Sequence, residues 1–573
     1  MRLAPAVFAF LLLGCSGSDD SSSPHDTAPD ASADVSGEAS ADSAADASAD
    51  SPIEASADST SDSAPDAAPD TAPACQRTIV PCTPPSGPVF QQSFDDAASV
   101  QGDFTQGPYA LETGFGGSGK SLAIDNPSGS SQTSVSVQHV FPANQLKWTR
   151  AYVSVRVKAQ NVSDKPASWN GIKVMLALEH ADGTKSWPQI AIGTGTFDWT
   201  VFTSVLEVPS DLVSAKLILG LEAVTGKVWF DDFSVQLLAC GPTVQVDPAC
   251  PIDKGHVEPG LRGFMISPWP DDATRQAAVS TLQSWGANNV RWQLSPADFA
   301  DKSGLNHPQF DAVVETGLSR LDAALPLLKQ AGIRVIVDLH NLSLNWDASE
   351  QNQTRFVEAW KSIAQRYAAD STVWAYDLAN EPFETQLRPG LLVWEQLVEK
   401  TGKAIGAIDS SKAIIVEPSP GGGPSAIRNL YPIDLPNVIY SVHMYEPGAF
   451  THQQVLAGYD DTTTYPGTIQ GKAWDKAVLA EALAPVFAFQ NLTRSPIYIG
   501  EFSAVRWAPG AAQYLTDVMD LFEGYGWDWS YHAFREWDGW DLECPSDKSA
   551  CTGKVMTDRQ QAVRTILQKN LAP

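Results

Sequence analysis

The chain of 573 residues is predicted to be an α/β protein, with a closed (β/α)8 TIM barrel preceded by an all-β sandwich. Eight short apolar segments alternate with helical patterns over residues 251–573, which is typical of such a barrel. Residues 86–240 carry only strand patterns separated by turn signals, which predicts a sandwich. An open doubly wound sheet is the alternative for the C-terminal part, but no glycine-rich phosphate loop follows its first strand.

Residues 1–15 have the pattern of an export signal. Arg2 precedes the apolar run VFAFLLLG, which is of signal-peptide length and too short to span a bilayer. The segment Leu12-Leu13-Gly14-Cys15 resembles the bacterial lipobox, which implies cleavage before Cys15 and lipidation of its sulfur. The alternative is an ordinary signal peptide with an incidental cysteine. We therefore expect an exported bacterial lipoprotein, anchored at the cell surface or outer membrane through Cys15.

Residues 16–85 are predicted to form a disordered acidic linker. An acidic residue recurs at every fourth position from Asp26 to Asp70, and residues 16–74 contain 14 acidic residues and no Lys or Arg. In a helix this repeat would stack like charges, so an extended tether is favoured over a helix. About half of the net charge of −29 lies here, and the rest of the chain lacks the basic clusters that nucleic-acid binding requires. The alternative is an adhesive or cation-binding repeat.

Six cysteines besides Cys15 fall into three couples that are local in sequence. Local pairing is the simplest connectivity, but a bridge from the first couple to the second would instead join the two ends of the sandwich. No metal-type spacing of Cys and His is present, and we expect neither a metal nor an organic cofactor. The couples are Cys75/Cys82, Cys240/Cys250 and Cys544/Cys551.

The sandwich has one feature that points to sugar. Its last predicted strand, GKVWFDDFSVQL at residues 226–237, resembles the closing strand of jelly-roll carbohydrate-binding modules. Aromatic rings stack on sugar faces, and Trp148, Trp169, Trp187 and Trp199 are the candidates. A spacer sandwich without glycan binding is the alternative.

Polar residues end most of the predicted barrel strands, where such folds build their sites. A polar group there is costly unless it faces a cleft or a partner. A helix is predicted at 353–369. The predicted strands are 261–267, 288–294, 334–340, 373–379, 413–418, 438–445, 497–502 and 527–534, and the polar residues are Arg291, His340, Asn380, Glu381, His443, Tyr445, Glu501 and His532.

Two carboxylates among these residues, Glu381 after the fourth strand and Glu501 on the seventh, form a candidate pair for glycoside hydrolysis. One carboxyl must donate a proton to the leaving oxygen, and the other must stay ionised to attack the anomeric carbon. Repulsion raises the pKa of one, and a nearby cation holds the other charged. Arg291 is the candidate cation.

The ordered set NNVRW, VDLH, Asn380-Glu381-Pro382, His443-x-Tyr445 and IGEF resembles that of family 5 glycoside hydrolases over residues 255–570. The resemblance implies a retaining enzyme with Glu381 as acid/base and Glu501 as nucleophile. It further implies that Asn380 binds the sugar 2-hydroxyl, that Arg291 and Tyr445 orient and ionise Glu501, and that His340 and His443 line the −1 sugar subsite. Two other acids compete: Glu384, placed on a loop, and Glu417, which could bind sugar.

The eighth strand departs from the family pattern. Family members usually place a sugar-stacking Trp there, whereas this chain has His532, followed by Trp537 and Trp540. Either the stacking platform has moved to those residues or the subsite differs. The identity of the sugar is therefore open.

The expected function is that of a retaining, endo-acting β-glycosidase on a β-1,4-glucan such as cellulose, working as a monomer. Trp269, Trp292, Trp346 and Trp507 near strand ends favour a polymer, which the sandwich would hold near the cleft. Deleting residues 86–240 is then expected to spare small soluble substrates. The alternatives are a β-mannanase or β-1,3-glucanase, a non-catalytic glycan-binding lipoprotein, or a structural surface protein.

Overall fold

The computed structural model describes residues 77–105, 107–127, 134–247, 249–252, 260–295, 305–340 and 344–571. The predicted signal segment with Cys15, residues 16–76 of the predicted linker, and Cys75 lie outside the described residues. Among the residues that are described, no helix is long and apolar enough to cross a membrane.

The strands in chain order are β1 Arg77–Val80, β2 Pro88–Gln92, β3 Ala110–Thr113, β4 Lys120–Asn126, β5 Ser134–Phe141, β6 Thr149–Val162, β7 Gly171–His180, β8 Lys185–Ser186, β9 Gly195–Val208, β10 Leu212–Glu222, β11 Gly226–Cys240, β12 Thr243–Val246, β13 Arg262–Ile266, β14 Asn289–Gln293, β15 Arg334–Asp338, β16 Val373–Asp377, β17 Ala413–Val416, β18 Val438–Met444, β19 Gly467–Ile469, β20 Lys472–Trp474, β21 Ile497–Phe502 and β22 Asp528–Tyr531. The α-helices are α1 Ala97–Asp103, α2 Ala143–Leu146, α3 Asp272–Trp285, α4 His307–Gln330, α5 Glu350–Tyr367, α6 Trp394–Gly406, α7 Gly448–Thr451, α8 Lys476–Thr493, α9 Ala511–Tyr525 and α10 Asp558–Leu567.

The predicted sandwich is present as two antiparallel sheets that enclose an apolar core. One sheet has the order β3-β4-β11-β6-β9, with β2 also on β11, and the other has the order β5-β10-β7-β8. Along β6, Ala151, Val153, Val155 and Val157 are fully buried at alternate positions, because successive side chains of a strand face opposite sides. The long strand therefore presents one apolar face to the second sheet.

A disulfide between Cys82 and Cys240 joins the two ends of the sandwich. Local pairing of the first two cysteine couples is therefore wrong, and the alternative of a bridge between them is correct. The reason is spatial, since β2 pairs with β11 and so brings residue 82 close to the end of β11. Cys250 is also disulfide-bonded. The local bridge between Cys544 and Cys551 is confirmed.

The predicted TIM barrel is confirmed as a closed ring of eight parallel strands in the order β13-β14-β15-β16-β17-β18-β21-β22. Each strand lies within its predicted range, and the helix predicted at 353–369 is α5. Most strands are followed by an α-helix that packs on the barrel. Between β17 and β18, where every residue is described, a 3-10 turn at Pro424–Arg428 takes the place of that helix.

Three of the four tryptophans taken as polymer platforms lie in the barrel core instead. Trp269, Trp292 and Trp346 are 6%, 0% and 3% exposed, and the indole nitrogen of Trp292 donates to the carbonyl of Gly317. A tryptophan beside a strand end gives the same sequence signal whether it faces the cleft or the helices. Trp507 is half-buried and stays a candidate.

Replacing Cys82 and Cys240 by serine should destabilise the protein more than replacing Cys544 and Cys551. The first bridge spans 158 residues and the second spans 7. The loop-entropy relation gives about 5 kcal/mol for the longer loop and about 2 kcal/mol for the shorter one. Urea unfolding of the two double variants measures the difference, and equal losses would mean that strand pairing and the disulfide of Cys250 already hold the ends of the sandwich together.

Candidate active site

The polar residues predicted from strand ends meet at the carboxyl end of the barrel. Seven of them form one contact network with the buried Glu417: Arg291, Asn380, Glu381, His443, Tyr445, Glu501 and His532. His340 lies at the end of β15, where its Nδ1 is 2.9 Å from Oδ2 of Asp338 and its side chain is 15% exposed. The strands bring these residues together because parallel barrel strands all end at the same rim.

Arg291 on β14 is fully buried at the centre of the network. Its Nη1 donates to Oε1 of Glu501 at 2.9 Å and its Nη2 to Oε1 of Glu417 at 2.7 Å. Its Nε donates to Oδ2 of Asp377 at 2.8 Å, and Oδ1 of Asp338 lies 3.1 Å from Nη2. Burial raises the pKa of Asp377 well above its usual range. The charges of Glu417 and Asp338 add to this rise, and the charge of Arg291 opposes it without cancelling it. One cation is thus shared among four buried acids, and the pKa of Asp377 is raised among them.

Glu501 is surrounded by donors on both carboxylate oxygens. Besides Arg291 on Oε1, its Oε2 accepts from the hydroxyl of Tyr445 at 2.8 Å and lies 3.0 Å from Nδ1 of His532. Burial opposes ionisation, but the charges of His443 and His532, with the His532 hydrogen bond and Arg291, hold the pKa of Glu501 well below its usual range. Glu501 is therefore an ionised carboxylate.

Glu381 occupies a strained backbone position at the start of the loop after β16. Its φ of 46° is in the left-handed region, and its backbone N–H donates to Oε2 of Glu417 at 2.8 Å. Its Oε1 lies 2.9 Å from Nδ1 of His443, and its side chain is 23% exposed. One oxygen of Glu381, one of Glu501 and a ring nitrogen of His443 all lie within 4.8 Å of one another.

His443 lies between acids on both sides of its ring. Nδ1 faces Glu381, and Nε2 is 3.1 Å from Oε1 of Glu417. Burial lowers the pKa of His443, but the charges of Glu417 and Glu501 outweigh that effect and raise it well above its usual value. His443 is therefore an imidazolium that donates from both nitrogens.

The two competing acids have structural partners in place of sugar. Glu417 is fully buried and uses both oxygens on Arg291, His443 and the Glu381 backbone, so the prediction that it could bind sugar is wrong. Glu384 follows the fourth strand as expected, but its side chain is buried against Arg150 of the sandwich.

His532 contacts the candidate nucleophile directly. Its Nδ1 is within 2.6 Å of the Tyr445 hydroxyl as well as 3.0 Å from Glu501. Burial lowers the pKa of His532, but the ion pair with Glu501 more than offsets it and raises the pKa to about 10. The aromatic residues that follow lie beside it: Trp537 is half-buried, with ring centroids 5.1 Å from Trp540 and 6.0 Å from Trp507.

Sequence reasoning missed four further residues of this network: the buried Asp338, Asp377 and Gln293, and the exposed Glu536. Gln293, Asp338 and Asp377 lie side by side at the ends of β14, β15 and β16. Gln293 donates to Glu536 at 2.6 Å. The available signal was a polar residue at the same depth in three successive apolar strands, which points to a shared internal charge.

Comparisons with known proteins concern this part of the chain. Residues 252–537 match the family described as Cellulase (glycosyl hydrolase family 5). Endoglucanase C from Acetivibrio thermocellus is 27% identical over 257 residues, covering 38% of this chain and 73% of that protein. Cellodextrinase A from Ruminococcus flavefaciens is 21% identical over 279 residues, covering 47% of this chain and 80% of that protein. A solved structure of an endoglucanase from Thermotoga maritima covers 53% of this chain and 96% of its own, at 24% identity and a TM-score of 0.44.

The substitution His532→Asn should destabilise the protein most at mildly acidic pH. A pKa raised from 6.5 to about 10 means that the charged His532 contributes fully below about pH 6.5 and that this contribution is lost as the pH rises toward 10. Glu501, with its lowered pKa, stays ionised over that window. Urea titrations should therefore show the stability difference between wild type and variant shrinking between about pH 6 and pH 10. A constant difference would mean that folded His532 is uncharged.

Proposed function

Residues 252–537 belong to glycosyl hydrolase family 5, and on that premise we propose that the chain is a retaining endo-β-1,4-glucanase acting on a glucan such as cellulose. That the chain is a glycoside hydrolase follows from the family and from its endoglucanase relatives. One observation carries the finer proposal: an ionised, fully paired Glu501 lies beside a partly exposed Glu381, with oxygens within 4.8 Å. Retaining pairs have carboxyl groups about 5–5.5 Å apart, and inverting pairs about 6.5–9.5 Å.

In the proposed first step, Glu501 attacks the anomeric carbon while Glu381 protonates the departing glycosidic oxygen. The carbon–oxygen bond to the leaving sugar breaks as the ester to Glu501 forms. His443 donates to Oε1 of Glu381, which leaves Oε2 to carry the proton that is transferred. In the second step Glu381, now a carboxylate, takes a proton from water, and the water oxygen displaces Glu501.

The remaining site residues are proposed to bind and orient the sugar. The side-chain oxygen of Asn380 accepts from Arg291 at 3.0 Å, so its amide hydrogens are the part available to the sugar 2-hydroxyl. Arg291, Tyr445 and His532 hold Glu501 charged and in place. His340 and His443 line the −1 subsite, and Trp537 provides an aromatic face for the sugar chain.

The choice of β-1,4-glucan rests on the relatives, which are named endoglucanases and a cellodextrinase. A β-mannanase or β-1,3-glucanase on the same framework is the alternative. A non-catalytic glycan-binding lipoprotein is a second alternative, and the intact Glu381, Glu501 and Arg291 count against it.

The jelly-roll-like sandwich is proposed to bind the polysaccharide on the outer face of its larger sheet. A shallow cavity of about 460 Å³ there is lined by Glu112, Thr113, Lys120, Lys158, Trp199 and Trp229. Phe115 is 42% exposed beside Trp199, with ring centroids 6.4 Å apart. Rings flanked by charged hydrogen-bonding groups suit a neutral sugar chain. Trp148 is unsuited to this role, because its indole nitrogen donates to Leu430 of the barrel at 3.3 Å.

The proposed setting is the outside of a bacterial cell. The lipobox implies a lipid anchor at Cys15, and the acidic segment after it would act as a tether between the membrane and the folded domains. We propose that the enzyme works as a monomer without cofactor and without nucleic-acid partners. Labelling with a radioactive fatty acid, with Cys15→Ser as the control, tests the anchor.

The substitution Glu501→Ala should abolish hydrolysis, since removal of a nucleophile costs on the order of 10³-fold or more. Reducing-sugar release is measured on a panel of β-1,4-glucan, β-1,3-glucan and mannan, with proton NMR of the first product. Wild type should act fastest on the β-1,4-glucan and release the β-anomer first. Initial release of the α-anomer would rule out retention, and equal sugar release by wild type and variant would rule out catalysis at this site.

The substitution Trp199→Ala should weaken binding to insoluble cellulose by about 5- to 10-fold, because it removes one stacking ring. Hydrolysis of soluble cello-oligosaccharides should be unchanged. Trp169→Ala is the matched comparison, since Trp169 is 60% exposed on the same sandwich but is not part of the cavity lining. Pull-down on cellulose measures the affinity, and equal loss in both variants would contradict a site at Trp199.

A further inference from the structure

We infer that the sandwich is a positioning element of the active site, in which the buried Arg150 on β6 holds the loop that carries Glu381. Glu384, the direct partner of Arg150, lies only three residues after Glu381 on that loop. The inference rests on the proposed role of Glu381 as proton donor. It concerns how the donor is held in place.

The side chain of Arg150 extends from the sandwich toward the barrel and is fully buried where the two meet. Its Nε donates to Oε2 of Glu384 at 2.5 Å, and its Nη2 donates to Oε1 of Glu395 on α6 at 2.7 Å. Its Nη1 donates to the carbonyl of Asn429 at 3.0 Å, and its guanidinium lies 4.9 Å from the ring centroid of Tyr431. All three guanidinium nitrogens of Arg150 therefore donate hydrogen bonds to the barrel.

Glu384 fixes the far end of the same loop. Its Oε1 accepts from the backbone N–H of Trp394, the first residue of α6, at 2.6 Å. A carboxylate at a helix N-terminus satisfies an otherwise unpaired N–H and interacts favourably with the helix dipole. Glu384, near the start of the loop, is thereby tied to the first residue of α6 and to Arg150 at the same time.

A second contact from the sandwich reaches the other side of Glu381. Glu207 on β9 accepts from the hydroxyl of Ser419 at 2.8 Å and from Nδ2 of Asn429 at 3.1 Å. Ser419 lies two residues after Glu417, whose Oε2 accepts the backbone N–H of Glu381. The same segment reaches the Glu381 loop directly, since Gly421 donates to the carbonyl of Pro382 at 3.0 Å. Both segments that bracket Glu381 are thus tied to the sandwich.

The interface between the sandwich and the barrel combines hydrogen bonds with a shared apolar cluster. The barrel has only the 3-10 turn between β17 and β18, and the sandwich contacts this stretch, with Ser210 donating to the carbonyl of Arg428 at 2.8 Å. Val205 and Ala239 of the sandwich belong to the same apolar cluster as the barrel core. A buried guanidinium released from such partners would leave uncompensated buried carboxylates, which is strongly destabilising. The sandwich is therefore not a separable module, contrary to the expectation that its deletion spares small substrates.

The test uses the full chain with Glu384→Gln, which keeps the size of the side chain and removes the charge that pairs with Arg150. The measured quantity is kcat/KM on two aryl β-cellobiosides, one with a phenyl and one with a dinitrophenyl leaving group. Dinitrophenolate departs without a proton, whereas phenoxide needs one, so only the phenyl substrate depends on Glu381 in the bond-breaking step. We expect Glu384→Gln to lose about tenfold or more on the phenyl substrate and less than about twofold on the other. Arg150→Lys should shift the ratio in the same direction.

The control is Asp182→Asn, which removes an ion pair with Arg428 (2.7 Å) at the same sandwich–barrel boundary but away from the Glu381 loop. It should leave both values of kcat/KM and their ratio unchanged. Equal losses on the two substrates in Glu384→Gln would overturn the inference, because a lower folded fraction reduces both alike. If wild type cleaves neither substrate, the proposed function itself fails and the inference fails with it.

Discussion

The buried guanidinium of Arg291 is the interaction on which the rest of the active centre depends. It is inaccessible to solvent and contacts acids at or just after the ends of β15, β16, β17 and β21, so one side chain on β14 connects its own strand to four of the other seven. An unpaired charge at this depth is prohibitively costly, and the acids cannot all ionise around one cation. The pKa values of these acids therefore differ. That of Asp377 is raised by burial, whereas His443 and His532, together with Arg291, hold that of Glu501 well below its usual range.

A second buried arginine with several acidic partners lies at the boundary between the sandwich and the barrel. Arg150 is buried among Glu384, Glu395 and Glu207, and burial raises the pKa of both Glu207 and Glu395 to about 7. Arg291 pairs with Glu501, the proposed nucleophile, and Arg150 pairs with Glu384 on the loop of Glu381, the proposed proton donor. Arginine suits both places because its fork of donors satisfies several carboxylates from one position. A module that looks like an appendage in sequence thus contributes to the geometry of the catalytic centre.

Most of the fold could be predicted, because the barrel strands are short apolar runs, most of which have a polar residue at or near the end. The pair Glu381 and Glu501 and their neighbours followed from the same pattern. What sequence could not give were contacts between distant residues: the Cys82–Cys240 bridge spans 158 positions, and Arg150 and Glu384 are 234 apart. Burial was equally hidden for Glu417 and Trp292, since an acid or a tryptophan at a strand end reads alike in a cleft or a core. The sequence shows His532 where the family pattern has a Trp, but only the structure shows that His532 pairs with Glu501.

The central claim is that Glu501 becomes covalently bonded to the sugar while Glu381 transfers the proton. Incubation with an activated 2-deoxy-2-fluoro β-cellobioside tests it directly. The fluorine slows both steps by destabilising their oxocarbenium-like transition states, whereas the good leaving group speeds only the first step, so the intermediate accumulates. Mass spectrometry of the digested protein should find the added fluorocellobiosyl mass on the peptide that contains Glu501. Label on Glu381 or Glu417, or turnover of natural substrate with no label at all, would contradict the account.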